Sequence, residues 1–289
     1  MMWFLLSMLT AVTVATQDAW LKKHFSAFST YEMSAFPLVF SFPMFFTALA
    51  FVAAPPLDAA FWWSFLAGLP INALGFVLHI KAIQVSPLSL TLPYLSFTPT
   101  FMIVTGLVFL GEMPDAWGIA GILTTCAGSY VLNLDTERWS PLAPLRAVFR
   151  ETGSWIMLIV AFLYSFSSVL GKLAILHSSP MFFAFLFFCV TDLLVVGAFF
   201  LLGRIRPVVF ARHWRKGLIA GAVYFLHILF HNCAIALTKA AYMIAVKRTS
   251  VFFGVVFGGL LFQETRLRMR LSGTLLMFGG SLLILLKAR

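Results

Sequence analysis

Charge is scarce in this sequence, and acidic charge most of all: 289 residues hold ten Asp and Glu against twenty Lys and Arg. Charged residues make up 10% of the chain, where a soluble globular domain carries about 25%. The mean hydropathy is +0.98. That scarcity excludes a water-soluble domain. Cysteine is scarce too. Cys126, Cys189 and Cys233 all lie within apolar runs without disulfide or metal-ligand spacing, so they read as small packing residues. Missing as well is a Walker-type phosphate loop, which argues against an ATP-driven machine. The first apolar run has no cation in Met1 to Phe4 and ends in Lys22-Lys23, not at a small-residue cleavage site. It therefore reads as a membrane helix and not as a cleaved signal.

Hydrophobic length is what the sequence has in excess. About 20 apolar residues in a helix cross roughly 30 Å of hydrocarbon, and runs of that size recur from end to end. The pattern predicts an all-α polytopic membrane protein with ten spans. They lie near 2–22, 34–54, 62–83, 87–110, 115–133, 154–176, 180–202, 216–237, 240–262 and 269–287. Pro55-Pro56, Pro87, Gly111 with Pro114, and Pro180 punctuate several ends. The longest polar connection, 134–153, divides the chain into a first half (1–133) and a second half (154–289).

The halves repeat. A shift of 152 positions (234 minus 82) lays His79 on His231, Ala82-Ile83 on Ala234-Ile235 and Gly106 on Gly258. It also lays Glu112 on Glu264, Gly121 on Gly273 and Gly128-Ser129 on Gly280-Ser281. Five spans per half is an odd number, so the second copy enters the membrane from the opposite side. Two inverted five-helix repeats are the architecture of many secondary transporters, whose substrate sits near the midplane between them.

Of the twenty Lys and Arg, fourteen fall on or beside loops after odd-numbered spans, while Lys239, Lys287 and Arg289 lie on the opposite face, with Lys172 near the end of span 6 on that side. The remaining two are Lys247 and Arg248. This asymmetry predicts cytoplasmic odd-numbered loops and both termini on the far side. The net charge of +10 is spread over short loops and helix ends, which suits membrane orientation and not a nucleic-acid footprint. Trp3, Trp62, Trp63, Trp117 and Trp139 stand near span ends as interface anchors, and the abundant Phe reads as lipid-facing filler.

Several short motifs carry a family likeness. They are Phe109-Leu110-Gly111-Glu112 followed by Gly118-Ile119-Ala120-Gly121, then Leu261-Phe262-Gln263-Glu264 followed by Ser272-Gly273, and Thr16-Gln17-Asp18-Ala19-Trp20-Leu21-Lys22 at the end of span 1. With them the chain resembles the EamA-type ten-helix members of the drug/metabolite transporter superfamily along its whole length. The family's Gly-Glu dipeptide stands at the end of span 4, with Gln-Glu at the end of span 9. The resemblance implies an exporter or exchanger of small metabolites in the bacterial inner membrane, with no cofactor and no enzymatic activity. Its partners would be a small-molecule substrate and the lipid bilayer, with a proton as candidate coupling ion.

Lys247 and Arg248 are the strongest site candidates. A cation at mid-helix costs about 2.5–3.5 kcal/mol, and adjacent residues diverge by about 100° on a helix, so the two cannot share one path to the surface. Either they line the cavity and hold an anion, or one reaches the surface while the other pairs with an internal acid. Organellar sugar-phosphate translocators, a sister branch, are similar in carrying a Lys-Arg pair in the ninth helix, where it holds the substrate phosphate. That likeness implies an acidic substrate. Export of neutral or zwitterionic metabolites such as amino acids is the alternative, and a non-transporting membrane scaffold or regulator is the alternative of another class.

The remaining polar groups have plainer readings beside functional ones. Asp18 and Lys22, four apart on one helix face, are expected to pair, with Asp18 otherwise a proton-coupling carboxylate. Asp192, midway along span 7, is expected to be a counter-ion to Arg248 or Lys172. His227 and His231 stand one turn apart without a third ligand, so with His79 they read as cavity lining and not as a metal site. Pro93 and Pro99 break span 4, and Tyr94, Ser96 and Thr98 there form a candidate wall opposite Lys247-Arg248. Glu112 and Glu264 read as braces at helix ends.

Overall fold

A computed structural model describes residues 1–132, 151–262 and 270–287. Among the described residues every regular element is helical. Eight helices are long and apolar enough to cross a membrane: Met2–Phe25, Thr30–Leu49, Ala59–Val85, Leu88–Leu110, Thr152–Leu176, Pro180–Leu201, Trp214–Ile235 and Ala240–Phe262. They occupy predicted spans 1 to 4 and 6 to 9. Helices Ala116–Leu132 and Arg270–Lys287, which contain shorter apolar stretches, occupy spans 5 and 10. The connection after span 5, with Trp139, falls largely outside the described residues, as does Glu264.

Local chemistry moves some boundaries. Span 2 starts four residues earlier than predicted because Ser29 and Glu32 close a capping box, each side chain accepting from the other residue's backbone. The loop between spans 7 and 8 contains a short helix, Pro207–Arg212, opened by proline in its first turn. Asp58 caps span 3 by accepting the Phe61 amide at 2.9 Å and lies 2.7 Å from His177 at the end of span 6. The Phe61 amide and then His177 hold the Asp58 carboxyl below the usual carboxylate range. This clasp is therefore present at neutral pH and fades as acid protonates Asp58.

A pseudo-two-fold axis relates the halves. Span 1 packs on span 8 as span 6 packs on span 3, while spans 2 and 7, and spans 5 and 10, meet each other directly. The 5–10 crossing shows the symmetry in single atoms. A Cβ added to Gly121 would stand 2.8 Å from the Gly280 carbonyl, and one added to Gly128 would stand 2.6 Å from the Gly273 carbonyl. These are the residues that the 152 shift exchanges, 121 with 273 and 128 with 280, so the two helices run antiparallel in a self-complementary contact. Lipid offers no hydrophobic drive between helices, and close backbone approach over small residues supplies dispersion instead.

Phenylalanine behaves differently from its sequence reading. Phe25, Phe36, Phe45 and Phe61 are fully buried, and Phe25 and Phe36 stack with centroids 3.8 Å apart. Phe65 meets Phe183 and Phe187 edge to face across spans 3 and 7, and Phe61 meets Phe182 at a tilt. Aromatic rings gain beyond area in such arrangements, and flat rings fill the gaps that glycine does not close. Trp62, Trp63, Trp117 and Trp214 are about half exposed near helix starts.

Gly128→Val should lower the detergent melting temperature by an amount equivalent to roughly 1–3 kcal/mol of overpacking. Gly279→Ala, whose Cβ meets nothing within 4 Å, should leave it unchanged or raised.

Candidate functional site

Between the halves lies a cavity of about 100 Å³. Its walls follow the repeat. Val14, Gln17 and Asp18 of span 1 line it, and so do Tyr164, Ser167 and Ser168 of span 6, each 150 positions on, the offset between Lys22 and Lys172 (172 minus 22). Asn72, Phe76 and His79 of span 3 line it together with their counterparts at 152, Tyr224, Ile228 and His231 of span 8. Leu95 of span 4 faces its counterpart Lys247 of span 9 in the same lining.

Spans 4 and 9 are both broken at this level. Span 4 passes from a one-turn α-helix, Leu88–Thr91, through a 3-10 stretch, Leu92–Phe97, into Thr98–Leu110. Proline accounts for that break: Pro93 and Pro99 lack the donors an α-helix needs. Span 9 has no proline, yet its helix stops at Lys247 and resumes at Ser250. The Thr249 amide bonds to Val246 O at 3.0 Å and the Val251 amide to Arg248 O at 3.0 Å, the tight spacing of a 3-10 turn. Arg248-Thr249 is the repeat counterpart of Ser96-Phe97 (248 minus 96 is 152), so the two interruptions coincide. Irregular backbone at membrane depth survives where it lines a cavity or is buried in protein.

Lys247 and Arg248 sit in the span 9 break, both buried. The Lys247 Nζ lies 3.0 Å from His227 Nε2 and 3.1 Å from His231 Nδ1. His227 Nδ1 lies 3.2 Å from the Gln17 amide oxygen, which can only accept. The network thereby assigns the proton to His227 Nδ1 and leaves Nε2 to accept from the ammonium. Arg248 Nη2 donates to Thr98 Oγ1 at 3.1 Å, and its Nε has no partner. Among the described residues neither cation has a carboxylate within ion-pair distance. Thr98 touches Arg248, whereas Ser96 is buried without a partner for its hydroxyl, and all three of Tyr94, Ser96 and Thr98 lie outside the cavity lining. The Pro93 carbonyl is taken by Ser129 Oγ at 2.8 Å and does not face the cavity.

The acids depart from their sequence readings. Asp18 does not pair with Lys22. Its Oδ1 lies 2.9 Å from His79 Nε2, because Asp18 faces the cavity, while Lys22 donates to Ser86 O at 2.5 Å at the start of span 4. Asp192 is not the counter-ion of Arg248 or Lys172. It turns away from the cavity towards span 2, where Ser41 Oγ donates to its Oδ2 at 2.7 Å. Lys172 instead pairs with Glu112 and donates to Thr238 O at 2.6 Å. Glu112 also accepts the Ala240 amide at 2.8 Å, so it ties the end of span 4 to span 6 and to the start of span 9. Two cations and one carboxylate remain in the cavity beyond the Lys172–Glu112 pair, with imidazoles between them.

Gln17, Asn72, Tyr164, Ser167, Ser168 and Tyr224 escaped selection from sequence. A signal was present: Tyr164, Ser167, Ser168 and Lys172 fall at i, i+3, i+4 and i+8, one polar stripe on an apolar helix.

Repeated membrane-crossing helices around a buried polar cavity, with paired helix breaks at its wall, define the class: an integral multi-pass membrane protein of transporter type. The chain belongs to the EamA-like transporter family, whose sequence profile matches residues 1–134 and 151–286. These are membrane transporters of small molecules and not enzymes. Among solved structures 28 chains match. One crystal structure shares 14% identity over 97% of this chain and 94% of that one, with a TM-score of 0.68, a likeness of fold alone. No curated protein matches the chain.

Glu112→Ala should destabilise the protein by roughly 3 kcal/mol in detergent unfolding, because the Lys172 ammonium then stays buried without its carboxylate. Lys172→Met combined with Glu112→Leu should cost clearly less than Glu112→Ala alone.

Proposed function

We propose that the chain is a secondary-active exporter or exchanger of small organic anions, carboxylates or phosphate esters, working by alternating access between two inverted five-helix halves. The observation that carries this reading is the unpaired state of Lys247 and Arg248. Beyond the Lys172–Glu112 pair, two buried cations share the cavity with a single carboxylate, Asp18, which is already bonded to His79. The Arg248 guanidinium spends one Nη on Thr98 and keeps Nε without a partner, so it can offer donors to an acid group. A planar guanidinium grips a carboxylate or phosphate bidentately, while Lys247 adds a point charge.

In this reading Asp18 and His79, 2.9 Å apart in the cavity wall, are the coupling groups. His231 and Thr98 position the substrate beside the cations. Ten spans, both termini on the non-cytoplasmic side and residence in a bacterial inner membrane complete the proposal, supported by the asymmetry of Lys and Arg between loops. Asp18 is also the feature that favours a second reading, export of a zwitterionic amino acid whose ammonium would meet that carboxylate.

Thermal unfolding of purified protein with panels of acidic, neutral and cationic metabolites tests the class. Acids should stabilise the wild type, and Lys247→Ala and Arg248→Ala should each abolish that response while remaining folded. Arg248→Lys, which keeps charge but loses the fork, should weaken it by about tenfold. Stabilisation by zwitterions alone would favour the second reading. In proteoliposomes, counterflow of a labelled acid found in the panel should be seen with wild type; binding without exchange would leave a scaffold.

A further inference from the structure

The outer surface of spans 2 and 7 carries a second cavity, unrelated to the central one. It is a groove of about 490 Å³ with walls of Leu38, Phe42, Val196, Phe200, Ile205 and Phe210 among others. On span 7 its lining residues fall at 192, 193, 196, 197 and 200, a single face extending about 12 Å at 1.5 Å per residue. Gly197 lies in this wall, and a Cβ added there would meet no atom within 4 Å. The groove is therefore open space against the bilayer, and its lining is apolar except for Asp192 at its deep end, which is 1% exposed.

At its other end the groove reaches the loop that follows span 7. Residues 204–216 carry five Lys and Arg and no acid, and Arg204, Arg206 and Arg212 are exposed while their neighbours Ile205 and Phe210 form the groove's wall. Arg206 is bonded to Glu32 at 2.8 Å, and Arg204 stands 5.5 Å over the Tyr31 ring. Beyond Glu32, cationic charge is left in excess at the mouth. We propose that this groove is a binding site for one anionic phospholipid, its acyl chain along Val196, Gly197 and Phe200 and its phosphate beside Arg204 and Arg212. A zwitterionic lipid would fill the apolar part equally well, but its headgroup cation offsets its phosphate, so it would gain far less from the arginines. Cations at a membrane face select anionic lipids in this way.

Delipidated protein titrated with phosphatidylglycerol or phosphatidylcholine of the same acyl chains, read by native mass spectrometry, tests the proposal. The wild type should retain one phosphatidylglycerol per chain with at least about tenfold preference over phosphatidylcholine. Each cation near an anionic headgroup is worth about fivefold, so Arg204→Gln with Arg212→Gln should weaken phosphatidylglycerol by about thirtyfold and erase the preference. Gly197→Phe should exclude both lipids while leaving circular dichroism unchanged; if it does not fold, the arginine variant decides alone. Equal retention of the two lipids by wild type, or full phosphatidylglycerol retention in the arginine variant, overturns the proposal. A lipid-free dimer that Gly197→Phe converts to monomer would assign the groove to a second copy and overturn it as well.

Discussion

A cation inside hydrocarbon and a gap in a helix are both costly, and this fold puts them at one place. Lys247 and Arg248 stand where span 9 stops and resumes. Each mid-membrane cation costs about 2.5–3.5 kcal/mol if unsatisfied, and unpaired backbone groups add to that. The surroundings answer with imidazoles, an amide and a hydroxyl in place of acids. His227 and His231 bracket the Lys247 ammonium, Gln17 fixes the His227 ring, and Thr98 accepts from Arg248. Neutral partners satisfy hydrogen bonds while leaving the charge uncancelled. A carboxylate in their place would have cancelled that charge.

The two-fold register explains how the cavity becomes polar and lopsided at once. Equivalent positions line it, yet their residues differ: Leu95 and Lys247, Asp18 and Ser168, Val14 and Tyr164. The negative group comes from the first half and both unpaired cations from the second. Where the copies agree, at Gly121, Gly128, Gly273 and Gly280, the agreement serves packing. Glu112 links these levels, since it neutralises Lys172 and holds the first amide of span 9.

Much of this was legible before any coordinates. Composition and run length gave the class, and the 152 shift gave the repeat and aligned the glycines, Gly121 with Gly273 and Gly128 with Gly280, but not the crossed contacts they make at the 5–10 crossing. Lys247 and Arg248 stood out because charge is rare inside an apolar run. Direction was harder to read. The i, i+4 rule pairs Asp18 with Lys22, but a helix sequence does not say that one side chain meets a neighbour's histidine while the other meets the Ser86 carbonyl. Asp192 failed for the same reason, being mid-span but turned towards Ser41. The break in span 9 carries no proline and is visible only through its repeat partner. Phenylalanine misled because lipid-facing and buried positions are equally apolar in a membrane chain.

The central claim is that the cavity binds its ligand through a negative charge. The most direct measurement compares matched pairs, each small carboxylic acid and its methyl ester, by binding to the purified wild-type protein. The account predicts that an acid binds and its ester, alike in shape but uncharged, binds at least about tenfold more weakly. Equal affinity for acid and ester, or a preference for amines, would contradict it.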